Sequence, residues 1–249
     1  MGWKYENNRK SDKHRLLRDK AVFFNRAEKF NADNPYSVTM YQDNNKELVI
    51  ERNRKELEKL LPLLKLNDES KVLDIACGIG RWADALPNSI KEYCGIDFSE
   101  GLISIANERN EKEQFCFLEG SIINVEQVLG RNGKGKYNII LMIGILMYLN
   151  DDDMSFSLEQ VERICEEEAT ICIREPIGIR ERLTLKDFFS EELKDSYNAI
   201  YRTREELFGF FEKTFFNHGF QIVEEGFLFD GESLNNRKET SQYYFVLHR

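Results

Sequence analysis

Residues 71–82 read Lys-Val-Leu-Asp-Ile-Ala-Cys-Gly-Ile-Gly-Arg-Trp, and this stretch decides the fold. An apolar run that carries a single acid, Asp74, is broken by two glycines, Gly78 and Gly80. The apolar run predicts a buried β-strand, and the glycines predict a tight turn after which a helix begins at about Arg81. Glycine lets backbone N–H groups approach a ligand closely, because a Cβ would block the approach or forbid positive φ. The stretch therefore predicts a ligand-binding strand–turn–helix unit.

Composition narrows the class of protein. The chain has 249 residues, of which 32% are charged, and a net charge of −9, so we expect a soluble globular protein that does not bind nucleic acid as its main partner. No apolar run reaches about 18 residues and the N-terminus is polar, so we expect no membrane span, no signal peptide and a cytoplasmic location. The five cysteines form no Cys-x-x-Cys pair, and we expect buried thiols.

The first part of the chain is expected to form helices. Apolar residues recur at helical spacing from Ser11 to Phe30, and a second helix is predicted from Asn44 to Leu64. In this second helix, Arg52 and Arg54 are expected at the surface. Residues 1–30 hold nine Lys or Arg against four Asp or Glu. This basic segment is either a capping helix with a solvated face or a lid that attracts an anionic substrate.

Further apolar segments follow at the spacing of an α/β sheet. Strands are predicted at Glu92–Asp97, Gln114–Glu119, Tyr137–Ile143, Ala169–Arg174, Phe220–Phe229 and Gln242–His248. The second strand ends in Asp97, and an acid at that position can accept hydrogen bonds from both hydroxyls of a ribose. The charged segment 178–200 is expected to form a short helix over the carboxyl edge of the sheet.

Two segments carry a family resemblance. Residues 71–82 resemble motif I of the class I S-adenosylmethionine (SAM) dependent methyltransferases, Asp/Glu-x-Gly-x-Gly-x-Gly, with Ala76 at the first glycine. Residues 144–151, Gly-Ile-Leu-Met-Tyr-Leu-Asn-Asp, resemble the motif IV segment of that family, Gly-Val-Leu-x-x-Leu-x-Asp. The resemblance implies a Rossmann-like α/β fold, a seven-stranded sheet with helices on both faces and an antiparallel C-terminal hairpin. A helical cap is expected at 1–64, and a SAM-binding core at 65–249 with a lid insertion at about 177–202.

The resemblance also implies SAM as the cofactor. In the family an Asp after the third strand commonly binds the adenine amino group; Ser121 stands at that point, and Ile122 would pack on the adenine face. Arg81 and Trp82 would lie beside the methionine end. The residues expected to contact the cofactor are Asp74, Ala76, Gly78, Gly80, Arg81, Trp82, Asp97, Phe98, Gly120, Ser121, Ile122, Met142, Ile143 and Tyr41.

Methyl transfer is an in-line displacement, so the protein mostly has to hold donor and acceptor in a near-attack arrangement, which contributes about 7–11 kcal/mol. A hydroxyl acceptor also needs a group that takes its proton. The candidates are Tyr148, Arg174 and Glu175, because ligands of open α/β sheets bind at the carboxyl edge. Glu175 would act as a base or orient an amine, and Arg174 would hold an anionic acceptor. The competing interpretation is a surface Arg–Glu pair beside a half-buried Tyr. No metal is expected, since no acid pair follows the fourth strand.

We expect methyl transfer to an oxygen or nitrogen of a small molecule such as a sugar, a nucleotide-sugar or a secondary metabolite. Two other functions stay open at this point. The pattern Gly78-x-Gly80-x-x-Ala83 also satisfies the fingerprint of NAD(P)-binding oxidoreductases, and Asp97 is suitably placed for their ribose. A protein that binds SAM without turnover would carry the same motif I. No motif predicts the acceptor or the oligomeric state.

Overall fold

The computed structural model describes residues 27–40, 45–190, 195–229, 231, 234–235 and 237–249. The predicted helix Ser11–Phe30 lies almost wholly outside these ranges, and so does Tyr41. The described helices are α1 (Ser37–Met40), α2 (Lys46–Leu60), α3 (Glu100–Arg109), α4 (Val125–Arg131), α5 (Asp151–Arg163) and α6 (Arg204–Lys213). The described strands are β1 (Lys71–Ile75), β2 (Glu92–Asp97), β3 (Phe115–Glu119), β4 (Tyr137–Ile143), β5 (Cys165–Gly178), β6 (Leu183–Ser190), β7 (Asp195–Tyr201), β8 (Gln221–Phe227) and β9 (Thr240–His248).

Seven strands form one sheet in the order β3-β2-β1-β4-β5-β9-β8. The first five pair in parallel, while β9 is antiparallel to both β5 and β8. The closing antiparallel hairpin and the Rossmann-like sheet predicted from the resemblance are confirmed. Strand order reverses between β1 and β4, and open α/β sheets bind their ligands at the carboxyl ends of the strands beside such a switch point.

Alternation of side chains along β1 builds the two layers of the core. Leu73 and Ile75 pack in one buried cluster with residues of α4, α5 and α6, whereas Val72 packs on the other face with Trp82 and Leu60. Both faces of a parallel strand are covered in this way, which is why β1 and β4 are almost continuously apolar. Helix α2 contributes to the second layer, so the N-terminal part of the described chain is integral to the core.

Residues 178–200 do not form the predicted helix. Instead, β6 and β7 make a separate two-stranded antiparallel sheet, with Leu183 opposite Tyr201 and Leu185 opposite Ala199. Apolar and polar residues alternate over short stretches of both strands, Leu183-Thr-Leu185 and Tyr197-Asn-Ala199, and this period of two is the signal of a strand. We call residues 183–201 the insertion hairpin.

The helix predicted from about Arg81 is also wrong. Only a short 3-10 turn, Ala83–Ala85, follows the glycine turn. Pro87 lies two residues beyond this turn, and proline disfavours a helical conformation of the residue before it. Among the described helices, none is both long and apolar enough to cross a membrane. All five cysteines are free thiols; four are buried and Cys116 is half-buried.

Candidate functional site

The turn after β1 brings the N-terminal segment onto the carboxyl edge of the sheet. Gly78 has φ of 58°, and a Cβ there would lie 2.6 Å from Cγ2 of Thr39 in α1. A side chain at position 78 would therefore push α1 away from the turn. Ala76, at the family's first glycine, also has a left-handed backbone with φ of 65°.

A polar contact fixes the same N-terminal segment. The Tyr36 hydroxyl donates to Oδ2 of Asp84 at 2.8 Å, and Arg109 pairs with the same carboxylate at 2.5 Å. Burial, followed by the bond to Asp84, raises the pKa of Tyr36 to about 12. The segment that ends in α1 is thus held against the residues that follow the glycine turn.

Asp97 is tied directly to the glycine turn. Its Oδ2 accepts the backbone N–H of Gly78 at 3.0 Å, and its Oδ1 accepts the N–H of Ser99 at 2.9 Å. Asp74 lies deeper, with 2% of its surface exposed, and accepts the hydroxyl of Tyr93 at 2.8 Å. Burial raises the pKa of Asp74 to about 7. The turn is therefore bordered by two acids, one at the tip of β2 and one within β1.

The remaining residues predicted to contact the cofactor fall into two groups. Phe98, Ser121 and Ile143 are only half-buried beside the carboxyl edge, although the Ser121 hydroxyl accepts the N–H of Ile123. Ile122 and Met142 are almost wholly buried, at 2% and 0% exposure, within the core cluster. The side chain of Ile122 is covered by core residues, and its packing on adenine stays a prediction. Met142 likewise points into the core.

Gly120 is required by packing at the end of β3. A Cβ at this position would lie 2.7 Å from a methyl group of Val128 in α4. The close approach of α4 to β3 thus accounts for this glycine without a ligand.

A buried carboxylate joins α2, the glycine turn and β5. Oε1 of Glu56 lies 2.5 Å from Nη2 of Arg81 and 3.1 Å from Nε1 of Trp82, and Oε2 lies 2.9 Å from Nε of Arg174. Burial opposes ionisation of Glu56, but Arg174 and Arg81 together hold its pKa below the usual range. Arg81, Trp82 and Arg174, which were predicted separately, are thus brought together by a residue that the sequence analysis did not single out.

Arg52 lies one turn before Glu56 on α2. It is 5% exposed, contrary to the predicted surface position, and its Nε donates to the carbonyl of Leu234 at 2.7 Å. Burial, and then the positive charge of Arg174, lowers the pKa of Arg52 to about 10. Arg54 does lie at the surface and pairs there with Glu51 and Glu58.

Glu175 holds the segment after β4 by its backbone. Its Oε1 accepts the N–H groups of Ile145 and Leu146, both at 2.7 Å, and its Oε2 accepts that of Met147 at 3.2 Å. Glu175 is 2% exposed, and burial raises its pKa to about 7 against the opposing effect of these bonds. Both oxygens accept backbone N–H groups, so Glu175 positions this segment, while its role as a base stays a prediction.

Arg202 holds the same segment from its other side. Its guanidinium donates to the carbonyls of Leu146 and Leu149, at 3.0 and 2.8 Å, and pairs with Asp151 at 2.6 Å. The Arg202 side chain is only 1% exposed. It follows directly after the insertion hairpin, so this hairpin and the motif IV segment are fixed to one another. We call residues 144–151 the clamped segment.

Tyr148 lies in a short 3-10 turn of the clamped segment. It packs in a small apolar cluster with Met147, Ala199 and Tyr201. Arg174 lies at the start of this segment, because its Nη1 would be 2.9 Å from a Cβ at Gly144. Gly144 has φ of 75°. The three predicted catalytic residues thus lie in or against one segment, and the carboxylate of Glu175 bonds to its backbone.

The two histidines in the described ranges lie far from this edge. His248 contacts Thr170 through its Nδ1 at 3.1 Å, near the amino end of β5. His218 lies 3.4 Å from Glu162 near the end of α5. His14 falls outside the described residues. The described part of the site therefore has no histidine base.

The two acids beside the glycine turn indicate whether SAM or a dinucleotide fits the site better. An acid at the tip of β2 suits the ribose of either cofactor, but a pyrophosphate would bring two negative charges close to Asp74, and like charges at close range repel. A sulfonium cation with an uncharged ribose suits the same surroundings, and Asp97 provides the acceptor that ribose hydroxyls need. The residues present therefore fit SAM better than a dinucleotide.

Comparisons with known proteins agree with this fold. Residues 72–168 match a family model described as a methyltransferase domain. The chain is 31% identical over 81 residues to a ubiquinone biosynthesis O-methyltransferase of Acinetobacter baylyi, covering 32% of this chain and 34% of that protein. It is 30% identical over 74 residues to a demethylmenaquinone methyltransferase of Bacillus licheniformis, covering 28% and 32%. The matches therefore span about a third of the length of these curated relatives.

Similarity at the level of structure extends further along the chain. A phosphoethanolamine N-methyltransferase of Haemonchus contortus, solved with phosphoethanolamine and S-adenosylhomocysteine, superimposes with a TM-score of 0.73 at 15% identity. The superposition covers 98% of this chain and 51% of that one. At this identity the likeness concerns the fold. Together with the sheet order, it shows that this chain has the Rossmann-like fold of SAM-dependent methyltransferases, within which residues 72–168 match a methyltransferase domain.

Proposed function

We propose that this protein transfers the methyl group of SAM to an oxygen or nitrogen of a small molecule. One observation carries the proposal, the bond between the Gly78 N–H and the Asp97 carboxylate. This bond joins the glycine turn to an acid at the tip of β2. In this way an acceptor for ribose hydroxyls is placed beside the point where backbone N–H groups approach a ligand.

SAM supplies an electrophilic methyl group on a sulfonium. The residues of this chain have to bind and orient the cofactor and the acceptor, and to exclude water from the site. Asp97 and the glycine turn hold the nucleoside part, and the clamped segment, fixed by Glu175 and Arg202, lies at the end of β4 where the acceptor approaches. Because both its N–H and its C=O groups are bonded, this segment is rigid enough for near-attack positioning.

The insertion hairpin and the segments before residue 65 are proposed as the walls of the acceptor pocket. The hairpin packs on the clamped segment through Met147, Ala199 and Tyr201, and the N-terminal segment is held down through Tyr36. These contacts support the predicted lid at about 177–202 and the cap at 1–64. The cap is not a separate unit in the described residues, since Leu60 and Leu64 belong to the core cluster of Trp82.

The relatives support a small-molecule acceptor without distinguishing the reacting atom. One curated relative is named as an O-methyltransferase and the superimposed structure as an N-methyltransferase. A sugar, a nucleotide-sugar or a secondary metabolite each remains compatible with the walls described above. With Glu175 engaged by backbone N–H groups, an amine that arrives unprotonated needs no base here. For a hydroxyl, Tyr148 is the proposed proton acceptor, and it would have to act as the phenolate.

Calorimetric titration with S-adenosylhomocysteine (SAH) tests the proposal, with NAD+ titrated into the same protein as the comparison. We expect SAH to bind and NAD+ not to bind. Absence of SAH binding at about 1 mM, a free energy of about −4 kcal/mol, contradicts the proposal. Binding of NAD+ instead favours the oxidoreductase. A SAM-binding protein without turnover is distinguished by single-turnover transfer of a labelled methyl group to a small-molecule library, which would yield no product.

A further inference from the structure

A cluster of buried charges lies at the carboxyl edge between α2, the glycine turn and β5. It consists of Arg81 and Arg174, which both contact the carboxylate of Glu56, and of Arg52 near Arg174, and we call it the guanidinium cluster. Arg81 and Arg174 contact Glu56 at 2.5 and 2.9 Å. Arg52 is close enough to Arg174 for the two charges to oppose each other.

Positive charge is in excess in this cluster. The cluster has three guanidinium groups and one ionised carboxylate, and the buried acid Asp74 is close enough to Arg81 and Glu56 for their charges to act on it. Even when Asp74 is counted as ionised, cations outnumber anions by three to two. Buried charges are costly unless they are paired. Because positive charge exceeds negative charge in this buried cluster, we expect an anion from outside the described chain to bind there.

Arg52 identifies where this anion would bind. Its Nε donates to the carbonyl of Leu234, but its Nη1 is buried and has no hydrogen-bond partner among the described residues. A guanidinium that is 5% exposed with an unpartnered N–H costs free energy in the ligand-free protein. The planar guanidinium is also the side chain best suited to two-point contact with carboxylate or phosphate.

The location of the guanidinium cluster favours binding of the methyl acceptor over binding of the nucleoside part of SAM. Arg174 extends from β5 and lies against Gly144, the first residue of the clamped segment. Asp97 lies at the tip of β2, three strands away in the order β2-β1-β4-β5. Strands in a sheet are about 4.8 Å apart, so the ends of β2 and β5 are roughly 14 Å apart across the edge. The ribose end is thus acidic, and the opposite end carries the excess of positive charge.

Building on the proposed function, we propose that Arg52 and Arg174 form a subsite for an oxyanion, a carboxylate or phosphate carried by the methyl acceptor. Glu56 and Arg81 keep the two guanidinium groups in place, since Glu56 binds Arg174 on one oxygen and Arg81 on the other. The substrate class is accordingly a small anionic molecule whose oxyanion is held on the β5 side of the clamped segment. The α-carboxylate of SAM is the other source of the same chemistry, and the experiment separates the two.

The experiment compares Arg52→Gln with the matched control Arg54→Gln. Arg54 lies two residues further along α2, is 49% exposed and pairs only with surface glutamates. Each protein is first titrated with SAH, and the SAH complex is then titrated with inorganic phosphate and, separately, with acetate, at constant ionic strength set by chloride. Binding is followed by calorimetry and by the unfolding temperature, because a ligand that binds the native state raises it.

We expect phosphate or acetate to bind the SAH complexes of the wild type and of Arg54→Gln. Arg52→Gln should bind the same anion at least tenfold more weakly, with SAH affinity within twofold of the wild type. If Arg52→Gln does not fold, Arg52→Met, which keeps the aliphatic packing, is measured against Arg54→Met with the same expectation.

Three outcomes overturn the inference. The subsite does not exist if neither anion binds the wild-type SAH complex, or if Arg52→Gln binds the anion as tightly as Arg54→Gln. A tenfold loss of SAH affinity in Arg52→Gln would assign the guanidinium to the cofactor carboxylate instead. Failure of the wild type to bind SAH is a separate result, because it removes the proposed methyl transfer and not only the subsite.

Discussion

Replacing Ala76 by glycine should stabilise the protein, although glycine substitutions usually destabilise. Ala76 has φ of 65°, a left-handed conformation that costs an L-residue about 1–2 kcal/mol. Glycine removes this strain but makes the unfolded chain more flexible, which costs about 0.4–1 kcal/mol. The backbone bond from the Ala76 N–H to the carbonyl of Ile96, at 2.7 Å, is kept. The balance is a gain of about 0.8 kcal/mol, or roughly 2–3 °C in unfolding temperature for a domain of this size.

The matched control is Ala85→Gly, in the 3-10 turn that follows the same glycine turn. Ala85 has an ordinary negative φ, so glycine there should lower stability by about 0.5–1 kcal/mol. Urea denaturation followed by far-UV circular dichroism measures both variants, and calorimetry measures their affinity for SAH. If Ala76→Gly is destabilised as much as Ala85→Gly, left-handed strain is absent at position 76.

Three other changes test the site. Asp97→Ala should weaken SAH binding at least tenfold, about 1.4 kcal/mol, since it removes the proposed ribose acceptor; unchanged affinity by calorimetry would contradict this role. Asp74→Asn should remove a pH dependence of stability. Burial raises the pKa of Asp74 to about 7, so the folded state keeps a proton that the unfolded chain releases. The stability of the wild type should therefore fall relative to that of the variant as the pH rises from about 4 to about 7. A wild-type-minus-variant stability that is constant over this range would refute it. Arg202→Gln should lower the free energy of unfolding by about 2–4 kcal/mol, because buried carbonyls lose their donor. The affinity for SAH should change less than threefold. A urea denaturation curve that matches the wild type would show that the bonds from Arg202 to the clamped segment are dispensable for stability.

The parts of the site that sequence could predict are those encoded in short, continuous segments. The turn at Gly78 and the acid at Asp97 each follow an apolar run, so local periodicity places them at strand ends. Parallel strands then bring them to one edge, which is why their proximity follows from the fold. The boundaries of β2 and β4 are as predicted for the same reason.

The guanidinium cluster was missed because charged residues on a helix are usually solvated. Val49, Arg52, Glu56 and Leu60 form the buried face of α2, and their spacing is that of one helical stripe. Two opposite charges within an apolar stripe were a usable signal, since such residues are rarely buried without partners. The partners themselves, Arg81 and Arg174, are distant in sequence, and no local pattern could assign them.

The insertion hairpin and the role of Glu175 could not be predicted from the sequence, for two different reasons. Charge and a Phe-Phe pair favoured a helix at 178–200, while the alternation that predicts strands was weaker and interrupted. Glu175 was placed at the carboxyl end of the predicted strand Ala169–Arg174, whereas β5 continues to Gly178, and nothing in the sequence indicates that its carboxylate accepts three backbone N–H groups. Those bonds depend on the conformation of residues 145–147, about 30 positions earlier.

The contact between Arg52 and Leu234 has a consequence for the order in which the site assembles. The two residues are 182 positions apart, whereas Gly78 and Asp97 are only 19 apart. Contacts between distant parts of a chain form late, because the loop between them must close first. During synthesis, the cofactor end of the site can be complete while the loop between β8 and β9 is still inside the ribosome. We therefore expect the nascent chain to acquire cofactor affinity first and the acceptor end only after its last strand has joined the sheet.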